Sequence, residues 1–246
     1  MSNLEIRTRQ VDVPNGDLKI AAYLAEPVGE GPYPTVVVIQ EIFGVNAHIR
    51  EVTERFARSG YRAIAPAIYQ RLAPGFETGY TPEAIQIGRQ YKDQTKAVEL
   101  LADIQATIDY VKAHCAIKSQ GFGCIGFCFG GHVAYLVSTL PDIQATASFY
   151  GAGITTMTPG GGAPTLSRTA DIQGTLYAFF GMQDASIPVE QVNQIEAALQ
   201  EHHIPHKVLR YPDAEHGFFC DHRASYNPAA ATAAWEEVQE LFGHKL

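Results

Sequence analysis

The stretch "GCIGFCFGGH", Gly123 to His132, sets the frame for the rest of the chain. A short apolar run meets a group of glycines, and Cys128 sits where they crowd together. Gly126 and Gly130 lie two residues either side of Cys128, and Gly131 follows at once. This is the spacing of G-x-S-x-G, a strand turning sharply into a helix, with sulfur in place of the hydroxyl. Such a turn strains the backbone of its central residue and leaves no space for a Cβ two residues away, a demand glycine meets. It also places the sulfur at a helix N-terminus, where free N–H groups and the helix dipole favour a thiolate and an oxyanion. A small buried cysteine in a tight turn would have the same sequence, so the flanking chain must decide between the two.

On both sides of this turn, short β-branched runs alternate with segments of helical periodicity. "LEIRTRQVDVPNGDLKIAAYLAEP" has two alternating segments around Asn15-Gly16, a type I′ hairpin signal. "PTVVVIQ", Pro34 to Gln40, has the continuous apolar character of a strand covered on both faces. A helix follows, with Ile49, Val52, Phe56 and Ala57 on one face and Gly60 at its stop. Tyr61 to Tyr69 is a further strand, and Pro82 to Lys112 is helical in two pieces. Gly121 to Phe127 and Phe129 to Leu140 form the strand and helix around Cys128. Beyond them, strands at 145–151, 174–181 and 206–212 alternate with helices at 188–202 and 228–243, with a Gly/Pro-rich loop from Thr155 to Pro164. The alternation predicts a mostly parallel sheet with helices on both faces and an N-terminal hairpin. There is no repeat and no interdomain linker, so residues 1–246 are expected to form a single α/β domain.

A chain of 246 residues can bury a full core without disulfides or a metal. Its formal net charge of −8 argues against a nucleic-acid partner, which would require clustered Lys and Arg. "MSNLEIRTRQ" has no signal-peptide or transit pattern, and no apolar run reaches membrane-spanning length. Cys115, Cys124, Cys128 and Cys220 form no C-x-x-C pair and no zinc-like spacing. Reduced thiols in a cytoplasmic protein, with no metal, are the expectation. His202, His203 and His206 surround a helix end, where capping or solvated histidines are usual.

A nucleophile on such a turn calls for an acid and then a histidine, each just after a later strand. "GTLYAFF" is followed by "GMQDASIP", which puts Asp184 on a short loop, and "HKVLRYP" is followed by "DAEHGFF", which puts His216 on the next. The three residues lie 56 and 32 positions apart, in the required order. In that arrangement His216 takes the thiol proton and returns it to the leaving oxygen, and Asp184 orients the imidazole. The oxyanion hole combines the N–H after the nucleophile, that of Phe129, with one from an early strand end, where "VIQEIFGVN" offers Ile42. His132, four residues after Cys128, is placed for packing.

With these residues assembled, the chain resembles the dienelactone hydrolase family of α/β-hydrolases. The resemblance runs from the hairpin to the last helix and is carried by "QEIFGVN", "APAIYQRLAPG", "GFCFGG", "GMQD" and "AEHGF". It implies the α/β-hydrolase fold and a cofactor-free carboxymethylenebutenolidase-like enzyme. Such an enzyme opens enol-lactones or similar small esters through a thioester intermediate; the chain itself is expected to be a monomer or weak homo-oligomer. It also implies a role for Glu41, which in the family meets the nucleophile, helps to activate it and moves when ligand binds. A carboxylate there would raise the thiol pKa and keep the resting sulfur protonated.

The departures bear on the substrate. The family holds the carboxylate of dienelactone with arginines from the mid-chain helical region and from just after the catalytic histidine. In this chain the corresponding candidates are Arg89 and Arg223. Phe43, Tyr69, Tyr91, Phe127 and Tyr150 are candidate aromatic walls, equally suited to core packing. Three other readings stay open: an esterase or thioesterase for another small substrate, a non-catalytic ligand binder on the same fold, and a redox-sensing thiol with Cys124 as partner.

Overall fold

Val36, Val37, Val38 and Ile39 are fully buried, yet their side chains serve two separate cores. Val36 and Val38 join one cluster, Val37 and Ile39 the other, which is the two-residue alternation of a strand covered on both faces. The computed structural model describes residues 4–246. Its strands are β1 (Ile6–Asn15), β2 (Leu18–Pro27), β3 (Tyr33–Ile39), β4 (Arg62–Pro66), β5 (Ile117–Phe127), β6 (Ile143–Phe149), β7 (Thr175–Gly181) and β8 (His206–Tyr211). Its helices are α1 (Ala47–Arg58), α2 (Pro82–Gln94), α3 (Ala97–His114), α4 (Phe129–Val137), α5 (Val189–Glu201) and α6 (Pro228–Lys245).

The strands form one sheet in the order β1-β2-β4-β3-β5-β6-β7-β8. The β1–β2 and β2–β4 pairings are antiparallel and every other pairing is parallel. Ile49, Val52 and Phe56 of α1 and Trp235, Val238 and Phe242 of α6 pack with Val36, Val38, Ala63 and Ala65. Leu100, Ile104 and Ile108 of α3 and Val133 and Val137 of α4 pack with Val37, Ile39 and Ile64. Asn46 caps α1 by accepting from the Ile49 N–H, and Thr81 caps α2 in the same way for Ala84. Among the described residues, no helix is long and apolar enough to cross a membrane.

Several boundaries differ from those expected. The hairpin tip is Gly16-Asp17 rather than Asn15-Gly16, because Asn15 pairs with Leu18 and only Gly16 takes a positive φ, of 60°. A positive φ at the first central position alone is the type II′ pattern. The strand after α1 stops at Pro66, and Ile68 and Tyr69 turn inward to join the core. β5 begins at Ile117, four residues early, because Tyr33 gives it a pairing partner there. A 3-10 helix at Thr165–Asp171 ends the Gly/Pro-rich segment, and the sequence pattern gave no sign of it.

Candidate active site

Cys128 lies between β5 and α4 with φ 57° and ψ −118°, the strained elbow that its flanking glycines allow. A Cβ on Gly126 would come within 1.9 Å of the Gly130 carbonyl oxygen. One on Gly130 would come within 2.3 Å of the Gln40 oxygen, and one on Gly131 within 2.2 Å of the Phe149 oxygen. The turn is therefore wedged between the ends of β3 and β6, and the backbone N–H of Cys128 donates to Phe149 at 3.1 Å. The N–H of Phe129, at the first position of α4, has no partner within its own helix.

Asp184 follows β7 and is buried. One carboxylate oxygen accepts from the Ser186 N–H at 2.7 Å, closing an Asx turn that fixes the side chain. The other lies 2.7 Å from Nδ1 of His216, in the loop after β8. Ser225 Oγ donates to the His216 carbonyl at 2.7 Å, and the Tyr150 ring packs edge-on to the imidazole at 5.1 Å. Burial alone would lower the His216 pKa, but the Cys128 sulfur and the Asp184 carboxylate more than offset it and raise it to about 10.

Glu41 is fully buried, and its Oε1 accepts from Nη1 of Arg223 at 3.0 Å. Gly217 makes room for this pair. Its φ is 82°, and a Cβ there would meet the Arg223 guanidinium at 2.5 Å. The recorded ion pair of Glu41 is thus with Arg223, not with the nucleophile.

A cavity of about 400 Å³ collects these elements. Cys128, His216, Ile42, Phe129, Phe43, Arg89 and Arg223 all line it. Tyr91 and Tyr150, expected as walls, are not among its lining residues. Tyr91 packs against Phe76 and Tyr69 with ring centroids 4.8 and 5.8 Å away, and Tyr150 is wholly buried under His216. Tyr69 and Phe127 are likewise core residues. Cys124 has no exposed surface, and burial pushes its thiol well up, so it is not placed to resolve an oxidised Cys128.

Residues 20–246 match the model of the dienelactone hydrolase family. The chain belongs to that family. It is 58% identical over 243 residues to a Synechocystis sp. protein assigned as a carboxymethylenebutenolidase, with 99% of each chain covered. A Bradyrhizobium sp. protein assigned as a 2-oxo-3-(5-oxofuran-2-ylidene)propanoate lactonase is 30% identical over 226 residues, which covers 91% of this chain and 88% of that one. A crystal structure of a Klebsiella pneumoniae protein assigned as a dienelactone hydrolase superposes with a TM-score of 0.86 at 29% identity, covering 97% and 98% of the two chains. The fold is that of the α/β-hydrolases, and the chain is a carboxylic-ester hydrolase.

Within this dienelactone hydrolase fold, the cavity also has walls that the sequence did not single out. Ile85 and Lys92 line it together with Arg89, at intervals of four and three residues along α2. That is one helical face, legible in the sequence only once Arg89 is known to point inward. Ser186, Met157, Ala152 and His132 complete the lining.

His132 itself is a buried strut. Its Nδ1 lies 3.0 Å from the Ala152 carbonyl and its Nε2 2.7 Å from Thr165 Oγ1, so the neutral ring donates to the first and accepts from the second. Burial pushes its pKa down to about 4, from 6.5 in the unfolded chain. Between those values the unfolded chain binds the extra proton, so stability rises with pH there, is complete above about 6.5 and is lost as pH falls toward 4. His132→Gln is therefore expected to remove about 2 kcal/mol of the stability lost between pH 7.5 and pH 4.5. Urea unfolding of both proteins at the two pH values checks this; parallel losses would contradict it.

Proposed function

We propose that the chain is a single α/β-hydrolase domain that opens a small carboxylate-bearing enol-lactone or ester through a Cys128-His216-Asp184 triad. The observation that carries this reading is the shared cavity: the strained Cys128 and the Asp184-bonded His216 face the same space. In the proposed cycle, the Cys128 thiolate attacks the carbonyl carbon. The oxyanion that forms is held by the Ile42 and Phe129 N–H groups. The proton on His216 passes to the leaving oxygen as the ring ester bond breaks, leaving an acyl thioester on Cys128. Neutral His216 then takes a proton from water as its oxygen attacks the thioester; the Cys128 sulfur leaves as thiolate beside protonated His216, and the carboxylic acid product loses its proton to solvent. Glu41 is proposed to act on Cys128 only after substrate draws Arg223 away from it. The four free cysteines support operation in a reducing, cytoplasmic setting.

The cations on the cavity wall support a carboxylate-bearing substrate. Arg223 is occupied by Glu41, and Lys92 sits 2.9 Å from Asp93. Arg89 has no recorded hydrogen bond or ion pair among the described residues and lines the cavity, which makes it the proposed anchor. Arg89→Ala is expected to lower kcat/KM for a cis-dienelactone about tenfold or more, as the loss of one charged hydrogen bond implies. Turnover of uncharged p-nitrophenyl acetate should stay within a factor of about two. Equal effects on both substrates would contradict the anchor. Ester turnover without lactone turnover by the unmodified chain would retain the triad and move the substrate to a simple ester or thioester.

A further inference from the structure

Glu41 also belongs to a second group of side chains, whose other members, His48 and Cys220, have no part in the proposed hydrolytic cycle. Its carboxylate, the His48 imidazole and the Cys220 thiol are all buried, and one donor atom from each lies within 4.8 Å of the others. Glu41 and Cys220 have no exposed surface and His48 is 3% exposed. Two atoms in this group, Glu41 Oε2 and His48 Nε2, are buried without a hydrogen-bond partner. Orphaned buried polar atoms are rare, and each costs about 1–3 kcal/mol. Here two of them belong to residues grouped around a thiol.

The donor chemistry is specific. One carboxylate oxygen, one imidazole nitrogen and one sulfur make the mixed O/N/S set favoured by zinc-class cations, which hold such ligands about 3.5 Å apart in a tetrahedral shell. Arg223 binds Glu41 through Oε1, which leaves Oε2 free for a second positive charge. Tyr80 lies 3.3 Å from the Cys220 sulfur and already accepts from Asn46, so its hydroxyl proton is available to a metal-bound thiolate. A route also exists. His48 lines a second cavity, of about 150 Å³, together with Glu51 and Asp221. These two acids and His222 are exposed and mutually close, with the His222 ring 6.2 Å from that of His48.

We propose that Glu41, His48 and Cys220 form a binding site for a divalent cation of the zinc class, linked to the hydrolytic cavity through the contact of Glu41 with Arg223. Binding replaces the Cys220 S–H bond with a sulfur–metal bond and releases that proton to solvent, without any change of oxidation state. Water completes the shell.

Cobalt(II) is the probe, added to Cys128→Ala protein so that the Cys128–His216 pair cannot contribute a ligand. One equivalent should bind and produce a thiolate-to-cobalt absorption in the near ultraviolet, which zinc then displaces. In the same background Cys220→Ser should lose the band. His48→Gln should weaken binding at least about tenfold, with circular dichroism confirming that each variant is folded. If Cys220→Ser does not fold, His48→Gln alone decides, since unchanged affinity there overturns the site. Absence of the band from Cys128→Ala, or its persistence in folded Cys220→Ser, also overturns it and leaves these atoms around buried water.

Discussion

Cys128→Ala is expected to lower kcat/KM for both p-nitrophenyl acetate and a cis-dienelactone by about 10⁴-fold or more, the scale seen when a triad nucleophile is removed. That corresponds to about 5.5 kcal/mol of transition-state stabilisation. The variant should still fold. The sulfur is only partly buried at the cavity, the Cβ stays in place, and the strained φ of 57° is held by the wedged glycines on either side. A thermal midpoint within a few degrees of the parent, measured beside the kinetics, separates lost chemistry from lost structure. Residual turnover within tenfold of the parent would remove Cys128 as the nucleophile. Inactivity of both proteins towards both substrates would favour a non-catalytic ligand binder on the same fold.

The second large effect concerns stability. Arg223→Leu strands the Glu41 carboxylate in a fully buried position, with Oε1 deprived of its partner and Oε2 already without one. Breaking one side of a buried pair in this way costs about 3–5 kcal/mol. Removing the charge as well should recover much of that loss, so Glu41→Gln/Arg223→Leu is expected to be more stable than Arg223→Leu alone. Urea unfolding of the two single variants and the double variant gives the coupling directly. Additive losses would show that the 3.0 Å contact is not energetically significant. The pair is a structural strut, and the proposed action of Glu41 on Cys128 requires substrate to supply an alternative partner to either charge.

How much of this was legible before the coordinates depended on the range over which each signal acts. The elbow was legible because its constraint is local: Gly126, Gly130 and Gly131 are dictated by carbonyls that crowd one turn. Asp184 and His216 were legible because the parallel sheet order places successive strand ends side by side, so a position in the chain becomes a position in space. The Glu41–Arg223 contact was not. It joins residues 182 apart through a loop that no periodicity describes. Nor could an exposed-helix pattern tell which face of α2 would roof the cavity, which left Lys92 unnoticed and Arg89 undecided. Tyr91 and Tyr150 were indistinguishable from walls because aromatic side chains fill cores and line pockets equally well. The His48 cluster was hidden for a related reason: Glu41 and His48 are neighbours across the β3–α1 connection, but Cys220 joins them from the far side of the sequence only in the folded chain.

The most direct test of the central claim is intact-mass spectrometry of the chain quenched in acid during turnover of p-nitrophenyl acetate. A single added acetyl group is expected, mapped by peptide digestion to Cys128 and absent from Cys128→Ala. Turnover with no acyl adduct, or with the acetyl group on any other residue, would contradict it.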